Sequence, residues 1–202
     1  MRLKPFVGLA LAVLFTCVPY LAVAQTAPAA MERHLPLAAG GGISAYNPDW
    51  AHGHLLGETL WVDYYPTRMP WFLHGLGVEA EARDLSLGRS SSQPSNLRED
   101  VAGGGLIYSW RHFRNFRPYG KLLGAYGNTE YKVTLGPYHE TRTVTIMGGG
   151  VEYRVYRGIW ARGDYEYQFW PDFFKGTTPA GKLNPQGITA GVSYHFGHIR
   201  PH

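Results

Sequence analysis

The chain has 202 residues, with 26 glycines, 14% aromatic residues, a single cysteine and a formal net charge of +4. Two of those charges sit on Arg2 and Lys4 in a leader, so the balance is too weak to point to nucleic acid. The glycine and aromatic content argues against a helical protein and for many pleated strands, and no segment after the leader has the ~18 consecutive apolar residues of a transmembrane helix.

Met1-Arg2-Leu3-Lys4 is a short basic head before the apolar run Phe6 to Val23, and Ala22-Val23-Ala24 supplies a small-residue cleavage site. Residues 1–24 therefore read as a signal peptide, with a mature chain beginning at Gln25. Cys17 lies inside that leader, and Leu14-Phe15-Thr16 before it is a poor lipoprotein signal. The mature chain then has no thiol for a disulfide, a cysteine metal site or a c-type haem.

Residues 25–36 predict a disordered lead. Eight strand-like segments follow at about 37–46, 55–65, 71–87, 100–112, 117–133, 141–156, 158–170 and 186–196, separated by Pro-, Gly-, Asn- and Asp-containing turns. The connections after strands one, three, five and seven (47–54, 88–99, 134–140 and 171–185) are the longer ones. An even number of up-and-down strands with such asymmetry predicts an all-β fold over 37–196, an eight-stranded antiparallel up-and-down transmembrane β-barrel. Residues 197–202 form a short C-terminal tail.

Strand seven shows which face is which. Ile159, Ala161, Tyr165, Tyr167 and Phe169 share one parity, and Arg162, Asp164, Glu166 and Gln168 the other. A basic side chain facing lipid at mid-membrane costs roughly 2–4 kcal/mol, so the charged face must line the lumen. The same reasoning turns Glu79, Glu81 and Arg83 inward on strand three, Arg111 on strand four, and Glu152 and Arg154 on strand six. These nine residues predict an interleaved network of arginine–carboxylate hydrogen bonds filling the lumen. Asp84 breaks the parity of strand three and belongs beyond the bilayer rim or beside a bulge.

Alternation alone fits a soluble barrel with its apolar face turned inward. Three features favour the membrane: aromatics gathered near strand ends (Tyr46, Tyr64, Phe113, Tyr119, Phe169, Trp170, Tyr194, Phe196), a polar face crowded with Gly and Ser, and the last strand. In that strand Thr189, Gly191, Tyr194 and Phe196 give the spacing polar-x-Gly-x-x-aromatic-x-aromatic. This resembles the closing-strand signal that outer-membrane barrels present to their insertion machinery.

Together with Gly77 to Arg83, Gly148 to Arg154 and Asp164 to Pro171, these residues resemble the small eight-stranded outer-membrane barrel family, of which the transmembrane domain of outer-membrane protein A is the familiar example. The resemblance covers most of 37–196. It implies the outer membrane of a diderm bacterium, with both mature termini periplasmic and lipid and lipopolysaccharide as surroundings. The chain runs six residues past Phe196, so the peptidoglycan-binding domain of outer-membrane protein A has no counterpart in it.

Candidate chemistry is sparse. Ser193 and His195 invite comparison with barrel enzymes that deacylate lipid A, yet their parity places them in the lumen away from acyl chains, so no catalytic residue is assigned. His52 and His54, near Asp49, have a ligand-like spacing but read as polar loop residues, and neither metal nor cofactor is expected. Gly40 to Gly42, Gly103 to Gly105 and Gly148 to Gly150 lack the following helix of a phosphate cradle and serve curvature. The functional expectation is a structural outer-membrane barrel with a charge-filled lumen. The alternatives are adhesion or ligand binding through loops 88–99 and 171–185, with Phe173, Phe174 and Lys175 exposed, then a lipid A-modifying enzyme or a small-solute channel.

Overall fold

A computed structural model of the chain describes residues 36–48, 54–87, 98–113, 115–133, 136–173 and 181–196. The predicted signal peptide, most of the lead and the tail lie outside the described residues, as do His52, Phe174, Lys175 and most of loop 88–99. The strands are β1 (Leu37–Asn47), β2 (Leu55–Tyr64), β3 (Leu76–Leu87), β4 (Arg98–Ser109), β5 (Phe116–Val133), β6 (Gly136–Tyr156), β7 (Ile159–Phe173), β8 (Gly181–Leu183) and β9 (Gln186–Phe196). All pairings are antiparallel. Each long strand pairs with its chain neighbour, β7 pairs with β9, and β9 returns to β1 through Leu37↔Phe196 to Asn47↔Gln186. The result is an eight-strand closed barrel. Short β8 pairs with β7 as an upward continuation of β9. Closure pairs every long strand on both sides through the body of the wall, and puts Leu37 and Phe196 at one end, here the terminal end, opposite the distal end.

Several boundaries differ from the sequence expectation. Trp71–Leu73 is a 3-10 turn and β3 begins only at Leu76, because Trp-Phe-Leu lacks the polar alternation of a half-buried strand. The fourth strand ends at Ser109, which moves Arg111 into the following turn. The long connection expected at 134–140 is mostly strand, since β5 and β6 pair out to Val133↔Gly136. Pro137 is tolerated there because it sits at the start of its strand. The loop expected at 171–185 is shortened at both ends by β7 and β8. On its other side β6 leaves β7 at Thr145↔Phe169, two residues before Pro171, which has no N–H to continue a ladder. The short β6–β7 turn carries Gly158 at φ 75°, a left-handed conformation that glycine adopts without strain.

The wall is sided as the parity argument requires. Outward positions carry Leu60, Val78, Leu106, Leu122, Met147, Val151, Tyr165, Ile188, Val192, Tyr194 and Phe196, all substantially exposed. Asp84 points outward too, and the ladders through it run without register shift, so no bulge is involved. It aligns laterally with Glu58, Asp100 and Asn128, a polar row that bounds the apolar belt. Arg98 donates to Asp84 at 2.6 and 3.1 Å and to Asp100 at 3.2 Å.

Three of the aromatics expected at the interfaces point inward instead: Tyr46, Tyr119 and Trp170 are buried. The lumen-facing glycines make room for such rings. An added Cβ on Gly40 would lie 2.5 Å from the Trp61 indole, and one on Gly191 2.7 Å from the same ring. Gly127 likewise accommodates Trp170, and Gly187 accommodates Tyr46. These glycines serve ring packing as much as curvature.

Gly40→Ala should therefore lower the unfolding free energy in lipid by about 1–3 kcal/mol, the usual penalty of overpacking. Gly163→Ala, whose Cβ would meet nothing within 4 Å on the outer wall, should change it by less than about 0.5 kcal/mol. Urea titration of both variants separates ring accommodation from wall curvature, because a curvature role would make the two losses similar.

Candidate functional site: the lumen

The lumen is layered along the barrel axis. Toward the distal end Val101, Leu123, Ala125, Val144, Ile146, Trp170 and Leu183 form one apolar cluster, and Tyr46, Leu55 and Leu85 a second. Between them they draw on strands around the full circumference. A small cluster of Tyr65, Ile107 and Tyr119 lies toward the terminal end. The charges are packed between these layers.

Their placement follows from period two: on β3, residues 79, 81 and 83 rise along the inner wall, and on β7 residues 162, 164 and 166 face them. Lys121 stands between the two strands. Its Nζ lies 2.6 Å from Glu81 Oε2, 2.5 Å from Glu166 Oε1, 3.0 Å from Glu79 Oε1 and 3.7 Å from Asp164 Oδ2. Arg162 donates through Nη2 to Glu79 at 2.6 Å, through Nη1 to Asp63 at 3.1 Å, and through Nε to Asp164 at 3.1 Å and the Tyr119 hydroxyl at 2.8 Å. Its guanidinium also lies 4.6 Å from the centroids of Trp61 and Tyr119. Arg83 binds Glu81 and Glu166, reaches Thr59 at 3.2 Å, and stacks 4.3 Å from the Tyr46 ring. The Tyr46 hydroxyl donates to Glu166 at 2.5 Å. Beside these groups Ser44 is 2.5 Å from Thr59 and 2.7 Å from Thr189.

Six of the nine sequence-selected charges thus meet in this centre: Glu79, Glu81, Arg83, Arg162, Asp164 and Glu166. The other three do not. Glu152 lies nearer the terminal end, against Ser193 (3.4 Å) and His195 (3.5 Å). Arg154 is half-buried at the end of β6, and Arg111 is exposed with its guanidinium 4.4 Å from the Tyr65 centroid. Sequence reasoning missed Lys121 and Asp63, which complete the centre. Parity could have found both, since Lys121 alternates with outward Leu122 and Gly120, and Asp63 with outward Val62 and Tyr64. On β5 the signal was blurred because Leu123 and Ala125 share the inner face with Lys121.

A strongly bound pair of charges removed from water needs its partners. Three cations here are shared among five carboxylates, with Tyr46 supplying a further hydrogen-bond donor. The Ser193 hydroxyl is hydrogen-bonded to Glu152 rather than to His195. Among the described residues no group of His, Cys, Asp and Glu has a metal-binding arrangement. Of the closing-strand residues, Tyr194 and Phe196 are exposed on the outer wall with ring centroids 5.0 Å apart, whereas Thr189 is buried and Gly191 faces the lumen under Trp61.

The family model described as outer membrane protein beta-barrel domain matches residues 10–196. Among solved structures the chain is similar to surface protein A of Neisseria, with 12% identity over 79% of this chain and 96% of that one, and a TM-score of 0.60. It is also similar to the outer-membrane protein OprG of Pseudomonas aeruginosa, with 13% identity, 81% and 98% coverage and a TM-score of 0.52. No curated protein matches the sequence at a significant level. At such identities structural likeness speaks for architecture alone.

Lys121→Met should cost about 3–5 kcal/mol of unfolding free energy, because it strands several buried carboxylates at once. The double variant Lys121→Met/Glu81→Gln should lose clearly less than the sum of its two single variants. Strict additivity in urea titrations would mean that these charges are solvated separately.

Proposed function

The chain belongs to the outer membrane protein β-barrel domain family, and from that premise we propose that it is a structural barrel of the outer membrane whose lumen is closed to solutes. Eight strands leave an interior that side chains can fill. The observation that carries the reading is the order of the layers: a charge centre tied across β2, β3, β5 and β7, with two apolar clusters packed distal to it around buried Glu99, Thr129 and Gln168. Rings and aliphatic side chains packed at that level obstruct the bore, so partial hydration of the charges would still not open a path. In this reading residues 1–24 direct export and both mature termini face the periplasm. The polar row Glu58, Asp84, Asp100 and Asn128 marks the outer rim of the lipid-facing belt, and lipopolysaccharide surrounds that rim. Tyr194 and Phe196, outward at the end of β9, serve recognition by the insertion machinery.

A second reading is binding at the distal end, where residues 136–144 of β6 pair with β5 on one side and with no strand on the other among the described residues. Such an edge offers main-chain donors and acceptors to an extended segment of another protein. Backbone amide exchange on that edge, slowed by a bound partner and unchanged without one, reports on it directly.

Refolded protein in planar bilayers should show no sustained conductance steps. Steps of stable amplitude would make the barrel a conduit and end the structural reading. On the assembly side, Tyr194→Ala/Phe196→Ala should reduce the heat-modifiable, membrane-inserted fraction far more than His195→Ala. Equal insertion of the two variants removes the recognition role of the outward pair.

A further inference from the structure

The cations left out of the central network gather at the terminal end. Arg111 lies in the turn after β4, Arg117 on β5 and Arg154 on β6. Two lie over rings: the Arg117 guanidinium is 4.0 Å from the Trp160 centroid and that of Arg111 is 4.4 Å from the Tyr65 centroid. The charges of Arg111 and Arg154 both act repulsively on Arg117. Glu152 is the carboxylate that faces this group, and it is already engaged by Ser193 and His195. Among the described residues none of the three arginines has a carboxylate partner within the 4.0 Å of an ion pair. Arg68 and Arg157, exposed in neighbouring turns, add to the same sign, and no exposed acid at this end offsets them among the described residues.

Three guanidinium groups lie at one end of the barrel, two of them over aromatic rings, with a carboxylate count of one. Such an arrangement is electrostatically incomplete. What completes it is a group of high negative charge with several acceptor oxygens, because each guanidinium presents a planar fork suited to bidentate binding of oxyanions. A phosphoryl group, with up to three free oxygens, matches three forks better than a single carboxylate does. We propose that the terminal-end mouth, formed by Arg111, Arg117 and Arg154 over Trp160 and Tyr65, is a binding site for a phosphate group. The bearer is a lipid headgroup or a soluble phosphate compound. The site stands whichever side of the membrane this end faces, and its failure would leave the closed-lumen reading intact.

The test uses the mature protein refolded in a maltoside detergent, which carries no phosphate, titrated with inorganic pyrophosphate in a calorimeter. Saturable binding near one per barrel is expected, weakened at least about tenfold in Arg117→Gln/Arg154→Gln, equivalent to about 1.4 kcal/mol, and unaffected by Arg98→Gln at the opposite end. Affinity should also fall as salt is raised. If phosphatidylglycerol added to the micelles abolishes pyrophosphate binding, the headgroup is the bearer. If binding persists, the bearer is soluble. Absence of saturation in the wild-type protein, or equal affinity in wild type and double variant, would falsify the proposal. Should the double variant give no heat-modifiable band, Arg111→Gln in the exposed turn replaces it: a several-fold weakening is expected, and unchanged affinity overturns the site.

Discussion

A narrow barrel must satisfy its own interior, and Lys121 is where this one does so. The eight-stranded wall leaves room for side chains and little else, so each carboxylate turned inward by the pleat needs a donor from a facing strand. Lys121 on β5 supplies the charge between β3 and β7, Arg162 ties β7 to β2, β3 and β5, and Arg83 ties β3 back to β7. The network therefore fastens strands that are not neighbours in the wall. Backbone ladders fix each strand to the next, whereas these cross-lumen contacts fix the cross-section.

Ring packing obeys the same spatial limit. Trp61, Tyr46 and Trp170 are too large for a lumen lined by side chains on every strand, and each lies against a wall position occupied by glycine. Two of these rings then take a guanidinium on their free face: Trp61 carries Arg162 and Tyr46 carries Arg83. Glycine, ring and cation form a sequence from wall to centre. The glycine content is thus coupled to the charge network through the aromatic residues between them, which orient the arginines while leaving their forks free for carboxylates.

The two ends of the barrel divide what is left over. Distally the inner face gathers apolar clusters around buried Glu99, Thr129 and Gln168, while the outer face turns polar at Glu58, Asp84 and Asp100. At the other end the inner face becomes cationic, and the outer face and turns carry Trp71, Phe72, Trp110, Phe113 and Phe116. Exposed aromatics of this kind favour the region between headgroups and hydrocarbon. The asymmetry means that one wall presents different chemistry to its two aqueous compartments.

Period two in the sequence determined the sidedness of the wall, and with it the strand count, the inward direction of Glu79, Glu81, Arg83, Arg162, Asp164 and Glu166, and the outward direction of Tyr194 and Phe196. That information is local: a pleat assigns each side chain to a face without reference to any other strand. The ends of strands were less legible, because Trp71 to Leu73 and Gly136 to Glu140 depend on whether a neighbouring strand is there to pair with. Which charges meet was not legible at all. Partners on β2, β3, β5 and β7 are brought level by tilt and register, quantities that the whole closed wall fixes. Only closure could place Lys121 among four carboxylates, set Arg111, Arg117 and Arg154 apart at the mouth, and bring together the apolar clusters of the distal lumen.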